Sequence, residues 1–167
     1  MAELEALFVD GIPFAGSTTR SDIFRDFLSA VAIFNAYSPG IIESVWVGGS
    51  FVSGKRDPDD IDCLFILNEQ LFDALPSNTK RNKIRDLGKK NFVRDHLGLA
   101  VEAFVLIRKV VGNPWEKGGV TRDAAGYTEI RGAWDDWWLR TNTSPDPSNP
   151  PTAADAGPIR GYLEVSP

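Results

Sequence analysis

The chain has 167 residues, 43% of them hydrophobic and 11% aromatic, which suits one domain with a sizeable core and excludes an intrinsically disordered protein. The formal net charge of −5 argues against generic nucleic-acid affinity, and the single cysteine, Cys63, excludes an internal disulfide and a multi-cysteine zinc site. No apolar run reaches the length of a membrane span, and MAELEALFVD lacks the basic and apolar parts of a signal peptide, so the expectation is a soluble cytoplasmic protein with no membrane role.

In chain order, Thr19 with Asp22 three residues on resembles a capping box, and Ile23, Phe24, Phe27, Leu28, Val31 and Phe34 then recur at helical spacing. Pro39-Gly40 ends that helix. The β-branched, apolar run Ile42 to Val47 predicts a strand that feeds directly into Gly48-Gly49-Ser50, and Ile61 to Leu67 predicts a second strand after an acidic cluster. Asn68 is placed to cap a short helix that stops before Pro76. Ser77 to His96 reads as one longer helix with Ile84 and Leu87 inward, His96 capping its C-terminal end, and Gly98 breaking it before a strong strand, Leu99 to Ile107. Tyr127 to Arg131 is expected as a last strand, and Trp134, Trp137 and Trp138 as one helical face in the core or at a partner surface.

The boundary falls near residue 140. Residues 1–140 read as the folded domain and 141–167 as a proline-rich tail or linker, because six of the eleven prolines lie between Pro145 and Pro167. Helices alternating with strands around one core define a small mixed sheet packed against helices, an α/β (α+β) class.

The chemistry concentrates between Val47 and Asp62. Gly49 to Lys55 matches the first seven places of G-x-x-x-x-G-K-[ST], but Arg56 holds the hydroxyl position and Pro58 follows where a P-loop must enter a helix. That reading is set aside. The alternative takes Gly49-Ser50 as a phosphate grip and Asp60-Ile61-Asp62 as a metal grip. Carboxylates at i and i+2 of an extended chain share a face, roughly 6.5–7 Å apart. Glu102, flanked by Leu99, Val101, Phe104 and Val105, is a third acid in a strand where a buried carboxylate is costly unless paired or metal-bound. A salt bridge to Arg108 or to a helix lysine is its structural alternative, and a turn rich in Asp is that of Asp60 and Asp62.

A hydrophobic strand, Gly-Ser, a short connection, Asp-Ile-Asp, and a third acid forty residues on in the pattern Val101-Glu102-Ala103 resemble the nucleotidyltransferase, or polymerase-beta-like, superfamily. Gly54 and Pro58-Asp59 sit close to places that its small bacterial and phage single-domain members favour. The resemblance covers Ile42 to Ile107 by motif and 1–140 loosely by element order.

It implies a minimal nucleotidyltransferase fold and transfer of a nucleoside monophosphate from an NTP to a hydroxyl acceptor, which would be a small molecule, an RNA end or a partner protein. By this likeness Asp60, Asp62 and Glu102 are catalytic and hold Mg²⁺ or Mn²⁺, while Gly49, Ser50 and, more distantly, Lys55 and Arg56 hold the triphosphate. The likeness extends to minimal members paired with toxins, implying an antitoxin-like modifier of a partner. The rivals are a non-catalytic module that binds a nucleotide or protein, and a simple carboxylate metal-binding domain.

Seven of the 18 basic residues lie between Lys80 and Arg94, in rows Arg81-Arg85-Lys89 and Lys83-Lys90-Arg94. They form either a solvated face or a track for an RNA acceptor. Cys63 is expected as an apolar filler on the strand's other face.

Overall fold

A computed structural model describes residues 1–141, 144, 152–155, 157 and 159–167. Two compact units make up the chain, Met1–Arg108 with Leu163–Pro167, and Lys109–Tyr162.

The first unit is built on a four-stranded mixed sheet. Its strands are β1 (Ile42–Gly48), β2 (Ile61–Leu67), β3 (Val101–Ile107) and β4 (Leu163–Val165), in the order β3-β2-β1-β4. β2 pairs antiparallel with β1 and parallel with β3, and β4 lies antiparallel along the other edge of β1. The fold is thus the expected α+β class.

Alternation along the strands sorts the side chains. Val45, Val47, Cys63, Phe65, Leu67, Val101 and Ala103 enter the main core. Helix α2 (Arg20–Tyr37) supplies the rest of that core through Ile23, Phe24, Phe27, Val31 and Phe34. Phe34 stacks on Phe65 at 4.4 Å between ring centroids, with Phe27 tilted against the same ring at 6.4 Å. Trp46, Leu64, Ile66 and Leu106, on the opposite face, are also buried. Burial on both faces explains why β2 and β3 read as near-continuous apolar runs. On that second face the only acids in β2 and β3 are Asp62 and Glu102.

The shorter helices of this unit are α1 (Ala2–Phe8), α3 (Glu69–Asp73), α4 (Asn78–Leu87) and α5 (Phe92–Leu97). Asn68 caps α3 as expected, its Oδ1 accepting from Leu71 N–H at 2.9 Å. The capping box at Thr19 does not form. Thr19 Oγ1 donates to Pro58 O at 2.8 Å and Asp22 pairs with Arg25, while Ser17 Oγ accepts the N–H groups of Thr19 and Arg20.

The single helix expected over 77–96 is divided into α4 and α5. Gly88 ends α4 where a Cβ would come within 2.8 Å of Val105 Cβ, so glycine lets the helix end close upon β3. Asn91 then takes a left-handed conformation, φ 60°, one that Asn tolerates better than most residues.

In the second unit, α6 (Arg122–Leu139) contains the segment Tyr127 to Arg131 that is expected from sequence as a last strand, so that expectation is corrected to helix. Thr121 Oγ1 accepts from Ala124 N–H and starts this helix. Trp134 and Trp138, one turn apart, meet edge to face at 5.8 Å, whereas Trp137 is exposed with Arg140 over its ring. The three tryptophans therefore do not share one environment. Of the 27 residues expected as a proline-rich tail, 141–167, eleven lie outside the described residues, among them the prolines at 145, 147, 150, 151 and 158. Within it, Leu163-Glu164-Val165, beyond the proline cluster and alternating apolar and charged, supplies β4.

Candidate functional site

The sheet register assembles the site. Gly48 pairs with Asp62, and Asp62 pairs with Glu102, so one row crosses three strands at the end where β1 finishes and β2 and β3 begin. Neighbouring strands lie about 4.8 Å apart, which puts the two carboxylates side by side on one face. Trp46, Leu64 and Phe104 form the next row.

The chain leaves that row through Gly49, whose φ of 70° is left-handed. A Cβ added there would fall on Asp62 Oδ2. Glycine is thus needed twice, for the backbone conformation and for the place the Asp62 carboxylate occupies. Ser50 follows, its carbonyl accepting from Ser53 N–H and Ser53 Oγ in a tight turn. After Lys55 the chain turns through Pro58 into β2 with no helix, which excludes a P-loop.

Arg20, which sequence reasoning passed over, fixes this connection. It is 1% exposed, and its five guanidinium donors all find backbone carbonyls. Nε donates to Arg56 O, Nη1 to Phe8 O and Phe51 O, and Nη2 to Ser53 O and Lys55 O. Phe14 lies 3.7 Å from the guanidinium carbon and Phe51, fully buried, 5.1 Å. Burial lowers the Arg20 pKa from its ordinary value, with Asp57 opposing. The signal was available: Arg20 precedes Ile23, Phe24 and Phe27 by three, four and seven residues, on the buried stripe of α2.

Asp57 ties the same loop to the start of α2. It accepts from Thr18 N–H at 2.7 Å and from the Ser17 and Thr18 hydroxyls. The Thr18 N–H is the chief reason its carboxyl titrates below the usual range.

Asp60 sits just before β2, in ion pairing with Arg94 of α5. Glu102 is buried and accepts from Asn91 N–H at 2.9 Å, at the head of the same helix. Arg108, its alternative partner by sequence, pairs with Glu43 at 2.6 Å. Lys55 and Arg56 are held by other groups: Lys55 Nζ binds Asp59 at 2.6 Å, and the Arg56 guanidinium donates to Gly16 O. Lys55 is the main reason the Asp59 carboxyl also titrates low. Cys63 points into the core, where burial raises its thiol pKa well above the ordinary value.

Gly48, Gly49, Ser50, Asp62 and Glu102 are therefore contiguous, with Asp60 at the margin. Among the described residues no group of three His, Cys, Asp or Glu side chains converges to hold a metal ion. The donors still suit a hard cation such as Mg²⁺: they are carboxylate oxygens, two of them at paired positions, where like charges favour a shared counter-ion. Two of the three acids are instead engaged by α5.

Of the basic rows over 80–94, several members have local partners. Arg81 donates to the carbonyls of Asp73 and Leu75, Arg85 to Asn82, and Lys89 pairs with Asp86.

The fold and site define an α+β protein with an acidic row beside a glycine turn. The chain belongs to a family of unknown function (DUF6932), which matches residues 1–148. Comparison with curated proteins and with solved structures found no match. Among the described residues, no helix is long and apolar enough to cross a membrane.

Proposed function

We propose that this protein is a metal-dependent nucleotidyltransferase that moves a nucleoside monophosphate from an NTP to a hydroxyl acceptor. The observation that carries this reading is the row Gly48–Asp62–Glu102, with Gly49 shaped around the Asp62 carboxylate and Ser50 next in the chain. Asp60, Asp62 and Glu102 would hold Mg²⁺ or Mn²⁺, which when bound supplies positive charge to the phosphates and the attacking oxygen. The acceptor oxygen forms a bond to the α-phosphorus, the bond to the β-bridging oxygen breaks, and pyrophosphate leaves. Glu102 would orient the acceptor hydroxyl and receive its proton. Ser50 and the amides of its turn would bind the β- and γ-phosphates. Arg20 keeps the connection in place by occupying its carbonyls.

A nucleotide-binding or protein-binding module without turnover is the second reading. It is favoured by the existing engagement of Asp60 by Arg94 and of Glu102 by Asn91 N–H. For an active enzyme, the acceptor classes remain a small molecule, an RNA end drawn by the basic residues of 80–94, or a partner protein in an antitoxin-like role. Labelled NTPs incubated with Mg²⁺ or Mn²⁺ and candidate acceptors test the proposal. Pyrophosphate release that disappears in Asp60→Ala/Asp62→Ala supports the enzyme; metal-dependent NTP binding with no release under any acceptor favours the module.

A further inference from the structure

The α5 helix touches two of the three acids, and it does so with groups of different kinds. At its head, Asn91 N–H donates to Glu102 Oε1. In its middle, the Arg94 guanidinium pairs with Asp60. The backbone contact is fixed by the left-handed turn at Asn91. The side-chain contact is not fixed in this way, since the Arg94 side chain is 44% exposed and that of Asp60 22%. An ion pair this open to solvent is weak and exchangeable.

The other cations near the glycine turn are placed differently. Lys55 is paired with Asp59 and Arg56 is spent on a backbone carbonyl across the loop. Arg20 is buried with all five donors used. Arg94 combines contact with a site acid, exposure, and the forked guanidinium that matches phosphate oxygens in a bidentate manner.

Resting on the nucleotidyltransferase reading, we propose that Arg94 is a placeholder cation that leaves Asp60 when a divalent metal binds and then grips the triphosphate. The same side chain therefore opposes metal binding when metal is alone and assists it when nucleotide is present. A metal bound without nucleotide must compete with a guanidinium for Asp60. A metal bound with an NTP brings phosphates that give the displaced guanidinium a new partner. The device couples the two ligands, so that metal occupancy rises when nucleotide arrives.

Two titrations on the full chain separate the signs. Mn²⁺ alone, followed by electron paramagnetic resonance of the free ion, reads the acid site without any turnover. Mn²⁺ with an α,β-non-hydrolysable ATP analogue, followed by calorimetry, reads the ternary complex. Arg94→Ala is expected to bind Mn²⁺ alone about twofold to fivefold tighter, from loss of one exposed competing ion pair. It is expected to bind the Mn²⁺–analogue pair about tenfold to a hundredfold more weakly, from loss of charge-assisted hydrogen bonds to phosphate. Arg94→Lys should fall between wild type and Ala in the second titration, because it keeps the charge and loses the fork.

A purely structural clip between α5 and the sheet would move both affinities the same way or neither, and either result overturns the proposal. Failure of the underlying nucleotidyltransferase reading looks different: the wild-type chain would bind neither Mn²⁺ nor the analogue. Circular dichroism and thermal melting of each variant confirm that the exposed substitution leaves the fold intact.

Discussion

Replacing Arg20 with Ala removes the one side chain that holds five carbonyls from three separate stretches of chain, at Phe8, at Phe51 and over 53–56. The bond to Phe51 O is wholly buried and the other four are partly so. A hydrogen bond from a charged donor contributes about 1.5–3 kcal/mol, less where the acceptor can regain water, so the full set is worth several kcal/mol before any offset. The offset is the cost of burying a cation, itself several kcal/mol, which the variant no longer bears. The net loss expected is about 2–4 kcal/mol, chiefly from the carbonyls left without a donor, at about 1–3 kcal/mol for one that stays buried and little for one that regains water. Set against a typical domain stability of about 5–15 kcal/mol, this leaves a folded but weakened protein.

Arg20→Lys keeps the charge with three donors in place of five, and should cost about half as much. Urea unfolding of wild type and both variants measures the loss. Native-state hydrogen exchange locates it, with the amides of 51–57 expected to lose protection first. A change below about 1 kcal/mol in Arg20→Ala, with exchange over 51–57 unaltered, would show that the five contacts do not hold the loop.

Gly49→Ala should destabilise by about 1–3 kcal/mol and displace the Asp62 carboxylate, because φ is 70° and the new methyl falls on Oδ2; chemical denaturation and loss of metal-dependent NTP binding check it. Asp57 has a folded-state pKa below its unfolded value of about 3.9, so its contribution is complete above that value and is lost as pH falls through the lower folded pKa. Asp57→Asn should therefore flatten the acid limb of stability against pH below about pH 4 while leaving the slope near neutrality unchanged. Cys63, buried with a raised thiol pKa, should resist a thiol reagent at neutral pH in the native chain and react at once in denaturant.

The strands and their acids were legible because a period of two is a strong constraint. Once Asp62 and Glu102 are set in apolar strands, alternation leaves them only one face to share, and the observed register joins them. The glycine turn was legible for its composition, and its exclusion as a P-loop followed from Pro58. What sequence missed was long-range. The place of Arg20 on the apolar stripe of α2 can be read locally, but its partners, the carbonyls of a loop more than thirty residues away, cannot. The break between α4 and α5 depends on Gly88 meeting Val105, a contact no local pattern encodes. Tyr127 and Ile130, three apart, already have helical spacing, and the Thr121 cap and the helical contact of Trp134 with Trp138 place Tyr127 to Arg131 inside α6 rather than in a strand. β4 has only three residues and becomes a strand through pairing with β1. The pairing of Asp60 with Arg94 could not be read from either residue alone.

The most direct measurement is calorimetric binding of an α,β-non-hydrolysable NTP analogue to the full chain, with Mg²⁺ present and with Mg²⁺ removed by chelation, for wild type and Asp62→Asn. Nucleotide binding that requires Mg²⁺ and weakens at least tenfold in a folded Asp62→Asn is the expected result, since one metal-holding carboxylate is gone. Binding that ignores both the metal and the substitution would contradict it.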